Sequence, residues 1–295
     1  MKKFKLLRES SNYTQKHLAE MMKTTQQTIA RWEAGKAEPN LSALRDLAMI
    51  FGTSVDDLLG KNPLSDKIAS TSLHYFGQKS IRDGFWGHVG LLLRSQKQTK
   101  WFPITFDTAN RTSSRLGNLE QENEWLCIPT LNNRMLAVNP ARVRRLWLLD
   151  DNCDAPDDWE INDDEYSGKP LEFYRGLDIY FSDDDELGSS SSETYREIIA
   201  DYVKEHALDE EKARRFLHAT IIHMADGAQT SYWAEAEPLA NIVFDIDDED
   251  MSLMVRIDAF GGDFECFYPA ASLAVIDMPL LDVMDAAKEL GSGEA

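Results

Sequence analysis

Four consecutive polar residues, Thr25-Gln26-Gln27-Thr28, with Arg31 beyond them, are the side chains best equipped here to read another molecule by hydrogen-bond geometry. A glutamine amide holds a donor and an acceptor side by side. That fork matches adenine N6 and N7 in the major groove of B-DNA, and an arginine one turn after Gln27 reaches a base or a phosphate. Such reading needs the forks at the N-terminal end of a short helix with apolar residues behind them, and Ile29 and Trp32 supply that rear face. Thr14 and Gln15 begin the preceding helix, where backbone N–H groups and the helix dipole favour a phosphate. Lys16, Lys23 and Lys36 add cations around them.

The elements that must position these residues are legible from caps and apolar spacing. Thr14 caps a helix from Gln15 to about Met22 whose stripe is Leu18, Met21 and Met22. Thr25 caps the next, which Gly35 stops. Glu38-Pro39-Asn40 is a turn, and a further helix carries Leu41, Leu44, Leu47, Ala48 and Phe51 as far as Gly52. Ser54 caps a last short helix through Val55, Leu58 and Leu59, closed by Gly60. Counting an opening helix from Phe4, five short helices in sixty residues predict a compact all-α domain.

Tyr13 to Lys36, with its Thr14-Gln15, Leu18-Ala19, Ile29 and Trp32-Glu33-Ala34-Gly35-Lys36 landmarks, resembles the Cro/CI (XRE) helix-turn-helix family. Pro39, Leu41 and the Gly52 to Leu59 ending extend the resemblance over residues 1–60, about one fifth of the chain. It implies a DNA-binding transcriptional regulator in which Thr14, Gln15, Lys16, Lys23, Thr25, Gln26, Gln27, Thr28, Arg31 and Lys36 face DNA. The run Thr24 to Gln27 is similar to that of lambdoid phage repressors reading ACAA-type half-sites. One landmark departs: the turn between the two helices usually holds Gly and here holds Lys23, a left-handed position that costs a non-Gly residue ~1 kcal/mol.

The charge distribution supports this division. The 295 residues carry a net −20, yet residues 1–36 hold eight Lys/Arg against three acids, so a +5 head precedes a remainder of −25. Three scattered cysteines, Cys127, Cys153 and Cys266, make neither a disulfide framework nor a zinc cage. Polar residues from Arg8 to Asn12 interrupt any signal peptide, and no apolar run reaches the ~18 residues of a membrane span, so a cytoplasmic protein is expected.

Residues 61–80, with Asn-Pro, Ser, Asp and Lys, suit a linker. From 81 to 295 the texture is that of an acidic α+β domain for dimerisation or sensing. Strands are expected at Trp86–Leu93, Trp101–Phe106, Trp125–Pro129, Arg134–Val138 and Val143–Leu149. Residues 150–186 hold fifteen acids and read as solvated loop with one strand, Asp178–Phe181. Helices follow at Glu193–His206 and Asp209–Ala225, then strands at Ile242–Ile246, Leu253–Ile257, Phe264–Tyr268 and Leu273–Ile276, and a closing helix at Leu280–Leu290. Strand, Pro-Ala turn, strand occurs twice, at Pro140-Ala141 and Pro269-Ala270, a layout similar to small Sm-like barrels.

Catalytic signals fail in turn. No Gly-rich phosphate loop, G-x-S-x-G elbow or H-E-x-x-H occurs. His218 and His223 stand ~140° apart on a helix and cannot share a metal. The acids at 183–186 and 245–250 read as solvated loops. No enzyme, cofactor or metal is therefore expected. The expected partners are double-stranded DNA, a second copy of the chain, and a small-molecule or protein effector at the C-terminal domain, with no membrane. The expected role is a repressor on an inverted-repeat operator. The alternative is an antitoxin or interaction protein whose acidic body binds a basic partner while the head autoregulates.

Overall fold

The computed structural model describes residues 2–61, 85–94, 96–121, 124–157, 159–161, 168–182, 184–262 and 264–292. Lys61 apart, the expected linker lies outside them. In chain order the elements are α1 (Lys2–Ser10), α2 (Gln15–Met21), α3 (Gln26–Glu33), α4 (Leu41–Phe51), α5 (Val55–Leu58), β1 (Phe85–Leu93), β2 (Lys100–Thr105), α6 (Phe106–Gly117), β3 (Leu126–Pro129), β4 (Arg134–Val138) and β5 (Val143–Asp150). They continue as α7 (Leu171–Ser182), α8 (Asp184–Ser190), α9 (Glu193–Glu205), α10 (Glu210–His218), β6 (Ala219–Met224), β7 (Gln229–Trp233), α11 (Ala236–Asp247), β8 (Met254–Asp258), β9 (Glu265–Pro269), β10 (Leu273–Pro279) and α12 (Leu280–Ser292). No described helix is long and apolar enough to cross a membrane.

Two compact units share the described residues. The first joins the five N-terminal helices to residues 169–214, so the expected body gives up α7, α8, α9 and most of α10 to the head. Phe4, Leu18, Ile29, Trp32, Leu47, Ile50 and Phe51 form the head's core. The added helices dock through polar groups that α4 and α5 bury. Glu172, fully buried on α7, accepts from the Arg45 guanidinium at 3.3 Å and from the Val55 backbone N–H at 3.3 Å. Its own N–H donates to Thr53 O at 3.2 Å. The Tyr195 hydroxyl, from α9, donates to Glu172 O at 2.7 Å, and Ser192 bonds Asp46 at 2.7 Å. Gly176 permits this approach, since a Cβ there would lie 2.3 Å from the Tyr195 hydroxyl.

The second unit holds a three-stranded sheet, β2-β1-β5, a five-stranded sheet, β3-β4-β10-β6-β7, and the β8-β9 hairpin, all antiparallel. Val89, Leu91, Phe102 and Ile104 of the first sheet meet Leu126, Ile128, Leu136, Val138 and Val275 of the second, with Ala109 of α6 in the same core. Arg134 is buried and ties three strands, donating to Asp277 Oδ1 at 2.5 Å and to the carbonyls of Ala219 and Asp277 at 2.7 Å. The fold class is thus all-α head plus mixed α and β. The Sm-like expectation is corrected: the described strands form open sheets with no closed barrel, because each Pro-Ala connection carries the chain from one sheet to another, β4 to β5 and β9 to β10.

Three local expectations are also corrected. Asp178–Phe181 is the end of helix α7, where Phe173, Tyr174 and Leu177 form a buried helical stripe that the surrounding acids disguise. Ile242–Ile246 lies in α11, whose Leu239, Ile242, Val243 and Ile246 recur at helical spacing and whose Pro238 sits harmlessly in the first turn. The helix expected over 209–225 ends at His218, since Thr220-Ile221-Ile222 is β-branched and enters β6. His218 and His223 therefore stand on different elements. Burial, with the Lys100 charge, pushes the His223 imidazole down to about 4, so it is neutral near pH 7. Helix α6, which the sequence reading did not anticipate, is capped by Thr105 accepting from Thr108 N at 3.1 Å.

Burial raises the Glu172 carboxyl to about 7, against the opposing pull of Arg45 and Arg175. Its folded-state value lies above the ordinary 4.5, so its contribution to stability is complete below that pH and is lost as pH rises through about 7. Urea unfolding of the wild type should therefore show a loss approaching ~3 kcal/mol between pH 4.5 and 8.5 from this group. The neutral Glu172→Gln variant should lack that loss, and equal pH profiles for the two would count against it.

Candidate nucleic-acid interface

Helices α2 to α5 each start on the residue that its chemistry selects. Thr14 accepts from His17 N at 3.0 Å, Thr25 from Thr28 N at 3.1 Å, Asn40 from Ala43 N at 2.9 Å and Ser54 from Asp57 N at 3.2 Å. Helix α3 stops at Gly35, whose φ of +67° suits glycine, while Lys36 N bonds Arg31 O at 2.9 Å. Ile29 and Trp32 anchor α3 in the core, so the opposite face of the same eight residues must point outward.

On that outward face Thr25, Gln26, Gln27 and Arg31 are exposed and Thr28 is half-buried. The Thr25 and Thr28 hydroxyls lie 2.9 Å apart, which sets the first turn of α3. Thr14, Lys16 and Lys36 are exposed too. Lys16 stands 3.9 Å from Glu20, an exposed pairing of little strength. Lys23 adopts the left-handed conformation that the sequence assigns to the turn, with φ +49°. Its amine donates to Thr194 Oγ1 at 3.2 Å, a contact with α9 that no sequence signal announced.

Gln15 is half-buried and its amide has a structural duty, donating to Glu33 Oε2 at 2.7 Å. The same carboxylate accepts from Arg8 Nε at 2.5 Å and Nη2 at 3.3 Å, and Arg8 also donates to Tyr13 O at 2.7 Å. One carboxylate on α3 thus gathers α1 and α2. Burial opposes its ionised form, but the Arg8 and Gln15 hydrogen bonds outweigh that and hold the Glu33 carboxyl below its ordinary range. Arg8, counted by sequence among the head's cations, is buried and committed to this clamp.

Comparison with known proteins agrees with this geometry. A family model described as "Helix-turn-helix" matches residues 4–58. The "HTH-type transcriptional activator BcrR" of Enterococcus faecalis is 36% identical over 62 residues, 21% of this chain and 30% of that protein. The SPbeta prophage-derived "HTH-type transcriptional regulator YonR" of Bacillus subtilis (strain 168) is 40% identical over 57 residues, 19% of this chain and 53% of its own length. The "HTH-type transcriptional regulator AnsR" of the same organism is 36% identical over 55 residues, 19% and 47% respectively. The chain thus spans about a third to a half of these relatives, and the likeness is confined to the head. No solved structure matches.

Removing the Glu33 carboxylate leaves the Arg8 guanidinium buried without its counter-charge. Glu33→Ala should cost ~3 kcal/mol in unfolding experiments. Because the folded Glu33 value is depressed, its contribution is present above the ordinary 4.5 and is lost as pH falls. The acid limb of the stability profile should accordingly flatten in Glu33→Gln, as followed by circular dichroism. The N-terminal helices, seen in their caps, core and sequence relatives, are a Cro/CI-type (XRE) helix-turn-helix domain of the kind carried by transcriptional regulators.

Proposed function

We propose that the chain is a sequence-specific transcriptional repressor that reads an inverted-repeat operator as a dimer. The observation carrying this reading is the exposed row Thr25, Gln26, Gln27 and Arg31 at the start of a helix pinned by Ile29 and Trp32, inside a domain similar to those of known regulators. Gln26 and Gln27 supply bidentate forks for adenine, Arg31 a base or phosphate contact, and Thr14, Thr28, Lys16 and Lys36 the phosphate frame. Gln15 acts at the same helix start mainly by orienting α2 through Glu33.

One head contacts only four to five base pairs, too few for genomic specificity when each correct pair contributes ~1 to 3 kcal/mol. Two heads on one face of the duplex, ~10 base pairs or a multiple apart, meet the requirement. A dimer so placed covers enough duplex to exclude polymerase from an overlapping promoter, the physical basis for reading a repressor. Sensing by the second unit is supported by a cleft of 480 Å³ beside β8, lined by Glu235, Asn241, Asp245, Met251, Arg256 and Asp258 among others. That volume falls within the ~300 to 1,000 Å³ of small-ligand sites.

Binding-site selection tests the reading directly. Gln26→Ala and Gln27→Ala should each cost ~1 to 3 kcal/mol at the preferred site and broaden the base preference where the lost fork stood. Lys16→Ala should weaken all sequences alike and flatten the salt dependence by about one unit, as should Lys23→Ala if its amine leaves Thr194 for a phosphate. An unchanged site preference in the Gln26 variant would refute the assignment of α3 as the reading helix.

A further inference from the structure

The cleft beside β8 combines two kinds of surface. Four carboxylates line it, those of Glu235, Glu237, Asp245 and Asp258, against the one guanidinium of Arg256. Two of the four are already engaged: Glu235 Oε1 accepts from Gly261 N at 2.7 Å, and Asp258 Oδ1 accepts from Arg256 Nε at 2.8 Å. Arg256 also donates to Glu265 Oε1 at 2.8 Å, so the only cation of the wall is committed to the hairpin itself. The carboxylates of Glu237 and Asp245 have no hydrogen-bond or ion-pair partner among the described residues. Burial and the nearby charges of Asp250 and Asp248 raise the Asp245 carboxyl, as befits a carboxylate that lacks a cation. The other part of the wall is apolar. Pro238, Ile242, Met251, Met254 and Val255 supply it, and Met254 is 46% exposed.

The spacing of the acids selects the shape of the ligand. Glu237, Asn241 and Asp245 recur every four residues along α11 and so share one side of it, the two carboxylates ~12 Å apart along the axis at ~1.5 Å per residue. So wide a separation does not suit a point charge. Among the described residues no three His, Cys, Asp or Glu are grouped to hold a metal ion. An elongated molecule with a positive group at each end and an aliphatic chain between them meets the separated carboxylates and the apolar wall together. The 480 Å³ of the cleft gives such a small molecule room.

We propose that this cleft binds an organic dication, an aliphatic diamine or polyamine whose terminal ammonium groups pair with Glu237 and Asp245 while its methylene chain lies on Met251 and Met254. The proposal rests on the reading of the second unit as a sensor and names the class of its effector. Calorimetric titration of the full-length protein tests it with 1,8-diaminooctane, beside octylamine, which has one charge, 1,8-octanediol, which has none, and the shorter 1,4-diaminobutane. The expected result is one-to-one saturation by 1,8-diaminooctane, with the other three binding ~10-fold more weakly or not at all. Asp245→Asn and Glu237→Gln should each weaken the diamine ~3- to 10-fold, and Glu197→Gln, which removes an exposed charge from α9, should not. Should Asp245→Asn misfold by circular dichroism, the exposed Glu237→Gln decides alone. Equal binding by the wild type and the folded cleft variants would reveal diffuse attraction to an acidic protein and overturn the site. A preference for octylamine or the diol would overturn the dication and leave the sensing reading standing. Saturation as expected, with a change in affinity for the selected half-site that is the same in the wild type and Asp245→Asn, would keep the site and overturn the sensing role.

Discussion

The Glu33 carboxylate is the constraint on which the orientation of α3 depends. It sits on the inner side of α3, the same helix that turns Gln26 and Gln27 outward, and it accepts from Arg8 of α1 and Gln15 of α2. A carboxylate buried to this degree is stable only when paired and hydrogen-bonded, so the three helices can satisfy it in one arrangement and not in neighbouring ones. Apolar packing of Leu18, Ile29 and Trp32 supplies cohesion but tolerates small rotations. The charge-assisted hydrogen bonds remove that tolerance, and with it any ambiguity about which residues of α3 face away from the core.

A second buried carboxylate extends the head. Glu172 is offered by a helix more than a hundred residues later and is met by Arg45, Val55 and Tyr195. Its cost of desolvation is large enough to lift its titration into the neutral range, so the attachment of residues 169–214 responds to pH in a way that the Arg8–Glu33 clamp does not. Lys23 joins this attachment through Thr194, which places a residue of the helix-turn-helix turn in contact with α9. The first unit is therefore larger than its five N-terminal helices, since residues 169–214 complete its outer layer.

The two units differ in how they finish their surfaces. The head's exposed side chains around α3, Thr25, Gln26, Gln27, Arg31 and Lys36, are polar and cationic. The hairpin β8–β9 exposes Met254 and Phe267 beside Arg256, which donates to Asp258 and Glu265. Net charge alone, −20 for the whole, would have hidden both, because it averages a +5 head with an acidic remainder and says nothing of where charges pair.

The head was legible in the sequence because its information is local. Thr14, Thr25 and Ser54 announce helix starts, Gly35 and Gly52 announce stops, and Leu18, Ile29 and Trp32 recur at helical spacing within a few residues of one another. The polar row of α3 followed from the same pattern. What the sequence could not disclose were pairings between distant residues. Nothing near Glu172 signals Arg45, nothing near Gln15 signals that its amide serves Glu33, and nothing near Lys23 signals Thr194. Local signals also misled where burial decides: the acids around Phe173 and Leu177 masked a helix, and β-branched Ile242 and Val243 suggested a strand in what Leu239 and Ile246 make a helical stripe. Propensity and period act over a few residues and are written in the chain. The partner of a buried charge, and the sheet to which a strand is delivered, are settled only when distant segments exclude water together, and that the tertiary structure alone decided.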